Sequence, residues 1–322
     1  MPTYKRRLTV EDAYYFKTLT DSGLTYTESA RIIKEKLGLS HTVNTLKRTL
    51  PEMLKLDALL PEIENALPPE LIANYQDCYI MGDAHMPYIN HQAMIEMLTQ
   101  AKQEGIKTLV LNGDALDFDW ASHFMAHSAP ASMKDVEYHR RAIYDIMYAL
   151  AGVFSKIYIT RGNHDERLLK KADLKMSLQS AWHMFACPDS EWVDREGKPL
   201  PNLLNICEIT ERFYMKMNRS PTGDWLFCHQ KNYSVIPGRV AGRLASKEQC
   251  NVVTAHEHHL AIVTDGTVAQ NYAVNGGCML DPKKIEYKNM RHTLHPYSAV
   301  GWVVLRGGVP CVYHWEKLKG RR

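Results

Sequence analysis

The chain has 322 residues, 45% of them hydrophobic and 23% charged, and a formal net charge of only +3. That is material for one large core and a small second domain, and no global field draws such a protein onto nucleic acid. Its apolar runs fall far short of the roughly 18 residues a membrane span needs, no hydrophobic core follows Lys5-Arg6-Arg7 as a secretion signal requires, and the odd count of seven cysteines without paired spacing points to a reducing compartment. The sequence therefore reads as cytoplasmic, with no membrane partner.

Residues 1–70 read as helical. Thr25-x-x-Glu28 is a capping box that opens a helix carrying Ala30, Ile33 and Leu37 on one face, and Gly38 fits its stop. Ser40 is the expected cap of a second helix whose Val43, Leu46 and Leu50 form an apolar stripe, with His41, Thr42, Asn44, Thr45, Lys47 and Arg48 turned outward. Two short helices joined by a turn, the second polar and basic, resemble a helix-turn-helix reader, which makes nucleic acid the candidate partner of this module. A helical hairpin that packs on the catalytic domain or makes a dimer contact fits the same residues, and a homodimer stays open. The prolines at 61, 68 and 69 mark residues 60–69 as a linker. The domains are then 1–70 and 71–322. The basic ends, Lys5-Arg6-Arg7 and Lys317, Lys319, Arg321 and Arg322, read as solvated tails.

From residue 76 onward, short β-rich runs end in polar motifs. Residues 76–81 lead into Asp83-Ala84-His85, 108–111 into Gly113-Asp114, 156–160 into Gly162-Asn163-His164-Asp165, 225–228 into His229, and 251–254 into His256-Glu257-His258. Five buried strands would thus deliver polar side chains from their carboxyl ends, where open α/β sheets build their sites. Together the motifs hold enough oxygen and imidazole groups for two divalent cations. A set of carboxylate, carboxamide and imidazole without thiolate suits manganese first, with iron, zinc and nickel as alternatives.

Two long excursions interrupt the strands. The first begins with Asp117, Phe118, Asp119 and Trp120, runs through His123, His127 and His139, and enters a helical stretch at 141–154. Trp120 and His123 follow the second motif closely enough to line a pocket, although core packing is the more frequent fate of a tryptophan. The second excursion, 168–221, opens on a helix-like stretch at 167–176 with Lys170, Lys171 and Lys175 and carries Trp182 and Trp192. It would seat a nucleic-acid backbone and stack a base, or else form a solvated helix face over a small packed lobe. Arg161 and Arg167 flank the third motif, and one of them is expected on a local carboxylate. Arg239 and Arg243, at helical spacing after Pro237-Gly238, are a second candidate phosphate clamp.

The order of the motifs resembles the calcineurin-like metallophosphoesterases, whose pattern is Asp-x-His, Gly-Asp-x-x-Asp, Gly-Asn-His-Asp/Glu, a lone His, then Gly-His-x-His. The resemblance covers roughly residues 76–280. It implies a two-sheet α/β sandwich flanked by helices, with Asp83, His85 and His258 on a first metal, Asn163, His229 and His256 on a second, and Asp114 bridging them. His164 would be no ligand; it would protonate the leaving oxygen or stabilise charge on the phosphorus oxygens. Asp165 would orient His164, and Asp117 would orient the site rather than bind metal. The implied reaction is hydrolysis of a phosphate ester by a metal-activated water without a covalent enzyme intermediate.

The departures bear on substrate. Gln230 follows the lone His where the family has Gly, Ala255 replaces the Gly before the last pair, and Glu257 is expected to face solvent, with a place behind the metal ligands as the alternative. Asn275-Gly276-Gly277 supports the alignment but is expected to carry no chemistry. Other phosphate and metal chemistries fail on spacing. Leu260 stands where a helical zinc-protease motif needs histidine, no cysteine has an arginine six positions on, and no Gly-x-x-x-x-Gly-Lys loop occurs. The reading is a metal-dependent phosphoesterase, with a phosphodiester in nucleic acid as the expected substrate and a phosphomonoester of phosphoprotein or a small molecule as the alternative. A DNA-binding regulator on an inert phosphoesterase fold is the third.

Overall fold

A computed structural model describes residues 10–37, 39, 41–65, 69–117, 133–166, 177–284 and 298–320. The chain divides into two compact units, Met1–Pro68 and Pro69–Arg322.

The first unit is three helices, α1 (Val10–Asp21), α2 (Tyr26–Lys36) and α3 (Val43–Asn65). The Thr25 capping box forms as the sequence demands: Glu28 accepts from the Thr25 backbone N–H at 2.9 Å and the Thr25 hydroxyl accepts from Glu28 N–H at 3.3 Å. Gly38 and Ser40 lie outside the described residues. Leu37 closes α2 by donating to Ile33, and the Thr42 hydroxyl accepts from Thr45 N–H at 3.1 Å in the first turn of α3. Ala30, Ile33, Leu46 and Leu50 are buried, and α1 completes their enclosure with Ala13 and Phe16. The expectation of a linker from residue 60 fails, because α3 runs on through Pro61 to Asn65. A proline forfeits one backbone hydrogen bond, but it kinks a helix as readily as it ends one.

The second unit holds two six-stranded sheets. One is ordered β12-β11-β2-β3-β4-β5, from β2 (Cys78–Gly82), β3 (Thr108–Asn112), β4 (Lys156–Thr160), β5 (Cys207–Ile209), β11 (Gly301–Arg306) and β12 (Val309–His314). The other is β1-β6-β7-β8-β10-β9, from β1 (Ile72–Asn74), β6 (Tyr214–Asn218), β7 (Trp225–Cys228), β8 (Asn251–Thr254), β9 (Leu260–Thr264) and β10 (Tyr272–Gly276). Strand alternation builds the layers. Cys78, Ile80 and Val110 face the other sheet's Trp225, Phe227 and Val253, whereas Tyr79, Met81, Leu109 and Leu111 face helices α4 (His91–Glu104) and α5 (Met133–Ala151). Sheets covered on both faces need apolar residues at every position, which is why the central strands read as unbroken buried runs. Helix α6 (Leu178–Ala186) buries Trp182 in the same layer as α5, and α7 (Arg239–Glu248) lays Ala241 and Ala245 on the outer face of the second sheet. The chain closes on a short helix, α8 (Trp315–Lys319).

Helix α5 starts at residue 133 rather than the expected 141, and Phe154 lies beyond its end in the core. No helix among the described residues is long and apolar enough to cross a membrane. Register is what positions the site. Gly82, Asn112 and Thr160 are paired side by side, as are Cys228 and Thr254, and β2, β3 and β4 are parallel, as are β7 and β8. All five motifs therefore begin at the carboxyl ends of strands.

Candidate metal centre

The loops after these strands turn sharply. Asp83, His85, Asp114, His256 and His258 all have positive φ, between 45° and 81°. A side chain in that region costs about 1–2 kcal/mol, and five such residues in one cluster mark strain retained for function. The motif glycines are needed for close approach. A Cβ on Gly113 would meet His229 Cβ at 2.4 Å, and one on Gly162 would meet the Asp114 backbone nitrogen at 2.0 Å.

Three groups of possible ligand atoms result, and the third is His85 with Asp117 and His164. In the first, His258 Nε2 lies 3.3 Å and His85 Nε2 4.0 Å from Asp83 Oδ1. In the second, His229 Nε2 lies 3.3 Å from Asp114 Oδ2 and 3.0 Å from Asn163 Oδ1, with His256 in the same group. His229 Nδ1 stands 3.9 Å from Asp83 Oδ1, so the groups adjoin. Backbone bonds hold the frame: Asp83 Oδ2 accepts from His256 N–H at 2.8 Å and Asp114 Oδ1 from His164 N–H at 2.7 Å.

The buried atoms Asp83 Oδ1, His85 Nε2 and His229 Nδ1 make no hydrogen bond. Buried polar atoms are normally satisfied, and a divalent cation in the first group would satisfy Asp83 Oδ1 and His85 Nε2. The electrostatics point the same way. Burial by itself would raise Asp83, but the facing His258 and His229 rings bring it to about 2. Burial would also lower His229, yet Asp114 and Asp83 push it up to about 9. Protons on imidazole thus stand in for missing positive charge, and a cation supplying that charge would release them.

Asp117 sits behind two imidazoles. Its Oδ2 is 2.8 Å from His85 Nδ1 and its Oδ1 3.3 Å from His164 Nδ1. It, rather than Asp165, is the carboxylate beside the His164 ring, and it groups with both imidazoles as a possible metal ligand. The Asp165 carboxylate instead accepts from the backbone N–H groups of Leu116 at 2.9 Å and Gly162 at 2.7 Å, so it pins two loops. Burial, then Asp114, raises its carboxyl to about 7.

The model of the calcineurin-like phosphoesterase family matches residues 78–260. The chain belongs to the calcineurin-like phosphoesterases. No curated protein matches it. Among solved structures it is similar to Vps29 from Cryptosporidium parvum, at 15% identity and a TM-score of 0.35, over 74% of this chain and 95% of that one. It is also similar to Vps29 complexed with zinc from Entamoeba histolytica, at 11% and 0.34, over 72% and 86%. Likeness at that level assigns no activity.

The candidate substrate-binding residues divide. Trp120, His123 and Arg167 lie outside the described residues, as do His127 and residues 168–176. Arg161 pairs with Glu166 at 2.9 Å and stacks near Phe213, which leaves it committed to a local carboxylate. Arg239 and Arg243 line a cavity beside the loop that follows His229. His139 meets the Tyr88 hydroxyl at 3.2 Å.

Two residues that hold the centre together escaped the sequence reading. Asn112 donates to Val253 O at 3.1 Å and Cys228 O at 3.3 Å, tying the two sheets at the base of the loops. Nothing local in the sequence signals this. Glu257, expected in solvent, is 2% exposed and accepts from Ser234 N–H and the Asn275 carboxamide, both at 2.8 Å. Asn275 in turn accepts from Gly238 N–H and donates to the Thr254 hydroxyl. A buried carboxylate is tolerated only when paired in this way. Glu257→Ala, which orphans Ser234 N–H and Asn275, is expected to lower stability by about 1–3 kcal/mol per group left unsatisfied. Glu257→Gln should recover part of the loss, both read by thermal unfolding.

Proposed function

We propose that the chain is a dinuclear metal-dependent phosphodiesterase acting on nucleic acid, with manganese the first cation to load. The observation that carries the reading is the pair of adjoining Asp/His groups with a third imidazole, His164, beside them, in neither of these groups but grouped with His85 and Asp117. Asp83, His85 and His258 would hold one cation, Asn163, His229 and His256 the other, with Asp114 between. Bound there, the cations would supply charge to phosphoryl oxygens and lower the pKa of a water.

The protein's own groups do the rest. Asp117 Oδ1 stands 3.3 Å from His164 Nδ1, and Nε2 lies 3.9 Å from Asp114 Oδ2. There His164 can hand a proton to a leaving oxygen or stabilise charge on the phosphorus oxygens. Its ring is 8% exposed, so bulk water has little access to that proton.

Support for a polymeric diester comes from the first unit. Its α3 leaves Asn44 and Arg48 exposed and Thr45 and Lys47 half-exposed, a polar and basic face of the kind a reading helix presents to DNA. The test is hydrolysis of end-labelled single- and double-stranded DNA and RNA by manganese-loaded protein, beside matched nitrophenyl diester and monoester. Polymer cleavage establishes the nuclease. Turnover of the small esters without polymer cleavage moves the assignment to a phosphomonoesterase or small-molecule phosphatase, and no turnover at all leaves an inert fold.

A further inference from the structure

The loop after His229 and helix α7 enclose a cavity of about 560 Å³. Gln230 and Tyr233 line it from the loop, and Arg239, Arg243 and Lys247 from the helix. The three cations follow one another at four-residue spacing, which sets them on one helix face with about 6 Å of rise between neighbours. All three are exposed. Lys247 pairs with its neighbour Glu248 at 3.0 Å, whereas neither arginine has a carboxylate partner among the described residues. Tyr233 is half-exposed beside them.

The walls are anchored to the metal loop. Ser234 N–H donates to Glu257, the Ser234 carbonyl lies 3.2 Å from His259 Nε2, and Gly238 N–H donates to Asn275. Gly238, with φ +79°, starts α7 so close to β9 that a Cβ would meet Val263 at 2.7 Å. Glu257 stands between His256 and His258 in the chain, so the cavity wall and those candidate ligands share one rigid support.

We infer that this cavity binds a single-stranded DNA segment flanking the scissile phosphodiester, with Arg239 and Arg243 on successive phosphates and Tyr233 stacked on a base. The inference rests on the nucleic-acid reading above. Guanidinium forks match phosphate oxygens, and an exposed aromatic ring accepts any unstacked base, which a duplex does not offer. The choice of DNA over RNA rests on the polar and basic face of α3 proposed above as a DNA reader.

The experiment uses the full manganese-loaded chain and a labelled oligodeoxynucleotide, with binding followed against salt and cleavage against substrate concentration. Removing two phosphate contacts in Arg239→Ala/Arg243→Ala should flatten the slope of log affinity against log salt by about 1.4. Its loss of kcat/KM on the oligonucleotide should exceed its loss on bis-nitrophenyl phosphate at least about tenfold, through KM, and Arg239→Lys/Arg243→Lys should keep most of the slope. Tyr233→Ala should weaken binding at least about fivefold. A wild type that cleaves DNA while the double alanine variant keeps slope and KM overturns the cavity assignment and leaves the nuclease standing. A wild type that turns over only small esters overturns both, and RNA bound more than tenfold tighter than DNA overturns DNA as the occupant.

Discussion

Asp114→Asn is expected to lose divalent metal and phosphoesterase activity together, each by more than about 10²-fold, the upper range for losing a group one layer further out. The substitution is nearly isosteric, and an amide oxygen can still accept from His164 N–H, now bonded to Asp114 Oδ1 at 2.7 Å. What disappears is the charge facing His229 Nε2 at 3.3 Å. Burial opposes that charge, and His229 and His164 nonetheless hold the Asp114 carboxyl well below its usual range. Elemental analysis of protein purified without chelator, paired with hydrolysis of a nitrophenyl diester, reads both losses. A variant that keeps a full metal complement but is inactive would remove Asp114 from the ligand set and make it a purely electrostatic group.

His164→Ala is expected to do the opposite: metal content stays and turnover falls by about 10²–10⁴, the usual worth of a positioned acid or base. The ring belongs to neither the Asp83 group nor the Asp114 group but to a third with His85 and Asp117, and its Nδ1 lies 3.3 Å from Asp117 Oδ1. It does pack edge-on against His85, with ring centroids 4.4 Å apart, so metal must be counted in the same preparation. Loss of metal in this variant would sink the division between ligands and proton donor.

Much of this arrangement is legible before any coordinates. The five strands that lead into the motifs read from their β-rich runs because a sheet buried on both faces admits little else, and observed and expected bounds differ by two residues at most. The Thr25 capping box reads because two side chains three residues apart satisfy each other's backbone. Such signals are local. Proline at position 61 misleads for the opposite reason: its local cost is real, and the rest of α3 outweighs it.

Glu257 and Asp165 were misread because charge type alone does not tell burial or partner. Glu257 is tolerable inside only because Ser234 and Asn275, 23 and 18 residues away, arrive at its two oxygens. Asp165 adjoins His164 in the chain, yet its oxygens are taken by backbone N–H groups that the loops bring in, while Asp117, far off in sequence, reaches the imidazole. Residue type, order and spacing by themselves determined the layered α/β class, the family and the donor chemistry of the centre, since those depend on periodicity and on which atoms can bind a cation. Tertiary structure alone decided which carboxylate serves which imidazole, that Asn112 ties the sheets, and that Arg161 is bound to Glu166 while Arg239 and Arg243 have no carboxylate partner among the described residues. Those outcomes depend on distances across loops, where a shift of a few ångströms turns a solvated charge into a buried partner.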